Sequence, residues 1–140
     1  MPLLTKRELL RRARELMNHD GLHWAQGDFV IWDWVESKQK EVERFCSLGS
    51  LQKILMGDGE ACPVEGTQEY GLYMEAVTDL VRVINRRWPN IRLMHPTLED
   101  VSLIVHWNDD PERTWDDVNS VFSELALEKA KKASSSVPTS

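Results

Sequence analysis

The sequence predicts an all-α protein, a compact bundle of about five helices with an irregular, tryptophan-rich connector after the first helix. Three observations lead to this fold class. Apolar residues recur at helical spacings along most of the chain. Threonines stand where helices are expected to begin, as N-caps commonly do. A single short stretch alternates in the manner of a strand, and one such segment cannot form a stable sheet alone.

The first helix is predicted after Thr5, because Thr5 and Glu8 have the spacing of a capping box. Its apolar residues fall on one helical face: Leu9, Leu10, Ala13, Leu16 and Met17. The segment His19-Asp20-Gly21 is predicted to end it, since glycine suits the left-handed cap.

The connector "LHWAQGDFVIWDWVESKQK" holds three tryptophans, and Val30, Trp32 and Trp34 alternate with their neighbours. A brief strand is an alternative for this part. A second helix is predicted over about residues 40–56, with its apolar face formed by Val42, Phe45, Leu48, Leu51 and Leu55. Gly49 within it indicates close approach of another helix or of the connector.

Three further helices are expected. A long central one follows Thr67 and runs to about Trp88, where Pro89 stops it. A shorter one begins at Thr97 and ends near Trp107, and the last begins at Thr114. Residues 1–132 are predicted to form a single domain, and residues 133–140 a disordered tail.

The charge balance argues against binding nucleic acid through a basic face, since the net charge is −6 and the pI about 5.2. The distribution is uneven. Residues 1–20 have five basic and three acidic residues, whereas residues 97–128 have nine acidic residues and only Arg113 as a base. The basic end could pack near the acidic end. Alternatively, the acidic segment could meet a basic partner or mimic nucleic acid.

Several other classes are disfavoured. No signal peptide or membrane-spanning segment is recognised, and the two cysteines have no metal-binding or redox spacing. The four histidines lack an i, i+4 pair, and no glycine-rich phosphate loop is present. We therefore expect a cytoplasmic protein with no cofactor, no metal and no membrane association.

The segment "HWNDDPERTW" (residues 106–115) separates the last two predicted helices. Helix-capping and turn chemistry explain most of it. Thr114 is a suitable N-cap with acids in the first turn, and Pro111 prevents helix from continuing through the loop. Asn108 and Asp109 could bond backbone amides in the turn. We interpret the segment chiefly as a structural clasp between two helices.

Three short blocks carry a family resemblance: "WAQG" (24–27), "RFCSLGSL" (44–51) and "WNDDPERT" (107–114). In order and spacing they resemble a family of small uncharacterised proteins of actinobacteria and their phages, over about residues 5–130. The resemblance implies a small helical fold and no established activity. Around residues 30–37 this sequence departs from the family pattern through its additional tryptophans.

Two classes of function remain open. The first is a non-enzymatic binding or regulatory protein, phage-derived, that acts through a protein partner as a monomer or homodimer. Its candidate partner-binding residues are Trp32, Trp34, Asp109, Asp110, Glu112 and Asp116. Trp32 and Trp34 anchor a partner only if their side of the connector is exposed; the alternative, which large aromatic side chains favour, is that they belong to the core.

The second is a small-molecule or catalytic site. Its candidate residues are Trp24, Gln26, Cys46, Asn108, Asp109 and Arg113. A cysteine on an apolar helical face is more typical of a core residue than of a nucleophile, so an enzyme is the less favoured class. We expect Cys46 to be buried and inert.

Overall fold

A computed structural model of the protein describes residues 4–18 and 23–136, with side chains described up to Leu127. The fold is mostly helical with a small two-stranded sheet. The elements follow in this order: α1 (Lys6–Met17), β1 (Val30–Val35), a 3-10 turn (Glu36–Lys38), β2 (Lys40–Phe45), α2 (Ser47–Met56), α3 (Gln68–Arg87), α4 (Pro89–Met94), α5 (Asp100–Asn108) and α6 (Trp115–Ser136).

Helices α1, α3 and α6 begin where their threonine caps predicted. The Thr5 hydroxyl accepts a hydrogen bond from the Glu8 amide at 3.1 Å, and Thr67 and Thr114 cap α3 and α6 in the same way. α1 ends at Met17, and the predicted glycine cap at Gly21 lies outside the described residues. α6 continues through Ser136, so it overlaps the predicted tail at 133–136, while 137–140 are outside the described residues.

The predicted second helix is wrong over its first six residues, which form β2. This strand pairs antiparallel with β1, from Val30 opposite Phe45 to Val35 opposite Lys40. Val42 and Phe45 have a spacing that fits a helix, but they bury their side chains from a strand. The alternating stretch therefore has a partner, and the all-α prediction is too narrow.

The region between α3 and α6 also differs from the prediction. Pro89 ends α3 but also stands first in the short helix α4, because a proline at that position needs no amide donor. The helix predicted from Thr97 begins at Asp100. The described residues therefore contain six helices rather than about five.

Helix α3 packs against all five other helices and occupies the centre of the fold. The largest fully buried side chains of the fold include Tyr73 of α3 together with Trp107, Phe45 and Phe122. Gly49 at the start of α2 lies against the connector, since a Cβ there would overlap the Phe29 carbonyl. No helix among the described residues is both long and apolar enough to cross a membrane.

Candidate functional site

Asn108, the last residue of α5, is fully buried and holds three segments of the chain together. Its side-chain oxygen accepts hydrogen bonds from Trp24 Nε1 (3.0 Å), the Ser47 amide (3.0 Å) and Ser47 Oγ (2.7 Å). Its side-chain nitrogen donates to the Ala25 carbonyl at 3.0 Å. We call this cluster, with Gln26, the Asn108 junction; it joins the connector, the start of α2 and the end of α5.

Gln26 and Asp109 extend the junction to the surface. Gln26 Nε2 donates to the backbone carbonyls of Asn108 (2.9 Å) and Asp110 (2.7 Å). Asp109 Oδ1 accepts from the Gly27 amide at 2.9 Å. The prediction that Asn108 and Asp109 bond amides of their own turn is therefore wrong, because they bind the distant connector. Asp110 takes the turn role instead, through the Glu112 amide (2.9 Å).

Arg113 belongs to the loop between α5 and α6 (residues 109–114), and its side chain is mostly buried. Its guanidinium carbon is 4.5 Å from the ring centroid of Trp88 and 5.1 Å from that of Trp107. Its Nε donates to the Trp107 carbonyl at 2.9 Å, and its terminal nitrogens lie 3.4–3.9 Å from Asp117 and Asp110. Arg113 thus holds the loop to Trp88 and Trp107 by cation–π contacts and to α6 by its ionic contact with Asp117.

Cys46 and Asp109 share a small cleft of about 160 Å³ beside the junction. Its other lining residues are Gly27, Asp28, Phe29 and Val105, which sequence reasoning did not select. Gly27 belongs to the "WAQG" block, and Asp28 and Phe29 follow it directly in the chain. The block therefore indicated where the cleft lies but not all of the residues that line it. Of the predicted pocket, Trp24, Gln26 and Asn108 are engaged in the adjacent junction, and Arg113 contacts the loop and α6.

The thiol of Cys46 is a poor nucleophile in this setting. Cys46 is buried, as predicted, but it caps the start of α2, where its Sγ accepts from the Gly49 amide at 3.3 Å. Burial raises the pKa of this thiol to about 11, against the lowering by the helix amides, and the charges of Asp109 and Asp28 raise it further. The thiol is therefore protonated at neutral pH, whereas a nucleophilic cysteine needs a lowered pKa.

Trp32 and Trp34 are exposed on the hairpin, at 60% and 54% of their full surface. The register places Glu43 opposite Trp32 and Glu41 opposite Trp34, so the four side chains share one face of the hairpin. We call this the tryptophan face. Trp34 Nε1 donates to Glu36 Oε2 at 2.9 Å, which lowers the pKa of that carboxyl and keeps it ionised.

The acidic candidates near α6 do not form one free surface. Asp109 and Asp110 are partly buried and bond the backbone of the connector and of the turn, whereas Glu112 and Asp116 are exposed. No group of three or more His, Cys, Asp or Glu side chains within the described part of the chain is arranged to hold a metal ion.

These contacts define a small, mainly helical protein whose buried polar junction ties together three sequence blocks and whose exposed aromatic residues lie on a hairpin. A model described as a family of unknown function, DUF6197, matches residues 1–128, so the chain belongs to this family. The prediction of an uncharacterised family is thereby confirmed. No curated protein and no solved structure matches the chain.

Proposed function

We propose that this protein is a non-enzymatic binding protein that acts through a protein partner, and that the partner contacts the tryptophan face. The exposure of Trp32 and Trp34 is the observation that carries the proposal. Exposing two neighbouring indole rings to water is unfavourable, and such exposed apolar patches often mark interaction sites. Tryptophans that become buried on binding supply much of the binding energy at protein interfaces.

The Asn108 junction supports a binding role over catalysis. The side-chain oxygen and nitrogen of Asn108 both bond the protein's own chain, as does the side-chain nitrogen of Gln26. The protonated thiol of Cys46 lacks the character of a nucleophile. The residues first considered for catalysis therefore have structural roles that account for their placement.

The cleft at Cys46 favours a second candidate function, the binding of a small molecule. Cys46 and Asp109 both line it. Its volume of about 160 Å³ is below the range of roughly 300–1,000 Å³ typical of ligand pockets. A ligand there would be limited to a few heavy atoms, so we rank this function second.

The test is affinity capture from the cells that make the protein, using wild type and a Trp32→Ala/Trp34→Ala double variant. A Leu93→Ala/Met94→Ala variant is the matched control, since both residues are 75% exposed and belong to α4 rather than to the hairpin. We expect quantitative mass spectrometry to find a protein retained by wild type and the control but lost with the tryptophans. Identical sets of proteins on all three baits would contradict the proposal. A cytoplasmic location and an origin in phages of actinobacteria remain predictions.

A further inference from the structure

We infer that the tryptophan face binds a cationic segment of the partner, with arginine side chains seated on the indole rings between the flanking carboxylates. This inference rests on the proposed function and specifies the chemistry of the partner.

The charges around the tryptophan face favour a cation. Glu43 and Glu41 lie on β2, directly opposite Trp32 and Trp34 of β1, and the ionised Glu36 is hydrogen-bonded to Trp34. Glu43 is 3.5 Å from Lys53, whereas Glu41 is exposed and has no ion pair among the described residues. The face therefore carries more negative than positive charge, and the π-faces of tryptophan are themselves negative.

The opposite face of the hairpin differs in charge. There Asp33 pairs with Arg44 at 3.0 Å, and the register places Lys40 opposite Val35 on the same side. That face thus has one acidic and two basic side chains, with no excess of negative charge. The excess negative charge and the exposed rings coincide on one side only.

The geometry suits a planar guanidinium. Side chains two residues apart on a strand project to the same side, with their Cα atoms about 6.5 Å apart. The indole N–H of Trp34 is already bonded to Glu36, which orients the ring and leaves its π-face for a partner. Guanidinium stacks on aromatic rings and forms paired hydrogen bonds with carboxylates, so Glu41 and Trp34 can bind one arginine together.

Other occupants fit the face less well. The carboxylates would repel the phosphates of nucleic acid or of an anionic membrane. A second copy of this chain has a net charge of −6, so its overall field opposes approach to the face, although its basic segment at residues 1–20 could contact it. The basic peptide is the occupant that both the rings and the carboxylates attract.

The test uses three synthetic peptides in which glycine alternates with arginine, lysine or glutamate. Binding to the full chain is measured by tryptophan fluorescence and by shifts of the indole N–H signals in NMR spectra. We expect the arginine peptide to bind most tightly and the glutamate peptide not to bind. Trp32→Ala/Trp34→Ala should raise the Kd at least about thirtyfold. Glu41→Gln/Glu43→Gln should raise it about threefold to tenfold and reduce its dependence on salt.

Several results would overturn the inference. One is equal binding of the arginine and glutamate peptides. Another is undiminished binding of arginine by the tryptophan variant, which would place the site elsewhere. Tryptophan-dependent sedimentation with phosphatidylcholine vesicles, or tryptophan-dependent self-association in sedimentation velocity, would assign the face to lipid or to a second copy. Leu93→Ala/Met94→Ala should leave every measurement unchanged.

The inference and the proposed function fail in different ways. A captured partner that needs Trp32 and Trp34, but binds independently of salt and of Glu41 and Glu43, would refute the cationic segment and leave the proposed function standing. Capture that is indifferent to the tryptophans would refute both.

Discussion

Trp24 and Trp34 each donate a hydrogen bond from the indole nitrogen to a side-chain oxygen, but the two bonds differ in burial and in the distance along the chain that they span. Trp24 is buried and donates at 3.0 Å to Asn108, which is 84 residues away in sequence. Trp34 is 54% exposed and donates at 2.9 Å to Glu36, two residues away. The first bond joins distant segments, whereas the second orients a ring within one hairpin.

This difference separates residues that maintain the fold from residues available to a partner. Loss of a buried partner leaves polar groups without water, which is costly. Loss of an exposed partner returns the polar group to water at little cost. We therefore expect substitutions at the Asn108 junction to change stability and substitutions at the tryptophan face to change binding.

The largest effect on stability is expected from Asn108→Ala. It would leave Trp24 Nε1, both Ser47 donors and the Ala25 carbonyl without their partner, so the free energy of unfolding should fall by about 3–4 kcal/mol. Urea denaturation measures this change. Asn90→Ala, at an exposed position of α4, should change it by less than about 0.5 kcal/mol. A loss below about 1 kcal/mol for Asn108→Ala would contradict the expectation that the Asn108 junction maintains the fold.

Cys46 provides a chemical test of burial at the same place. With a pKa of about 11, about one thiol in a thousand is ionised at pH 8, so a thiol reagent should label Cys46 at least about a hundredfold more slowly than the exposed Cys62. Rapid labelling of Cys46, followed by mass spectrometry of peptides, would return the catalytic site to consideration.

The same raised pKa makes stability depend on alkaline pH. The stabilisation is fully present below the ordinary thiol pKa of 9.0 and is lost as the pH rises toward 11, because only the unfolded chain ionises readily in that interval. Cys46→Ala should weaken this decline in denaturation curves measured between pH 8 and 11. An unchanged decline would assign it to other groups.

Gly49→Ala should have the next largest effect on the free energy of unfolding, after Asn108→Ala. Its added methyl group would overlap the Phe29 carbonyl, so α2 or the connector must shift, at about 2 kcal/mol of unfolding free energy. Gly71→Ala in α3 is the matched control, because open space surrounds it and alanine favours helix. Thermal unfolding should separate the two variants. Equal stability would show that the connector yields easily at this contact.

Thr114→Ala should cost about 1 kcal/mol, as the loss of an N-cap generally does. The Thr114 hydroxyl accepts from the Asp117 amide at 3.2 Å, and the Asp117 carboxylate accepts from the Thr114 amide at 3.2 Å. Thr78→Ala, exposed within α3, should be neutral or slightly stabilising in the same denaturation experiment. If partner binding is lost with Thr114→Ala while stability is kept, the loop is a binding site rather than a clasp.

The smallest effect on stability is expected for Trp32→Ala/Trp34→Ala, at about 0.5 kcal/mol or less for each substitution, since both rings are largely solvated. Differential scanning calorimetry measures it directly. A loss comparable to that of Asn108→Ala would mean that these rings support the fold, and the contrast with Trp24 would disappear.

Elements with local signals could be predicted from the sequence. Thr5, Thr67 and Thr114 each cap the helix that they were expected to start, because a cap and its helix are adjacent in the chain. β2 could not be predicted in this way. Val42 and Phe45 fit a helical spacing, and only pairing with β1 makes the segment a strand.

The candidate site was predictable block by block but not as an arrangement. The sequence marked Trp24, Gln26, Cys46 and Asn108 individually, but their placement depends on hydrogen bonds between segments far apart in sequence. The exposure of Trp32 cannot be predicted from the sequence for a similar reason: alternation places a side chain on one face of a strand, but the surrounding fold decides whether that face is covered.

The distances along the chain between Asn108 and its partners also determine when these bonds can form during folding. Trp24 and Ser47 precede Asn108 by 84 and 61 residues, and the entropy of closing such loops opposes early contact. The hairpin, by contrast, pairs nearby segments. During synthesis, Trp24 and Ser47 emerge from the ribosomal exit tunnel before Asn108 is added to the chain. The connector therefore remains without its buried acceptor until α5 has been made, and a chain interrupted before that point has a hairpin without a completed core.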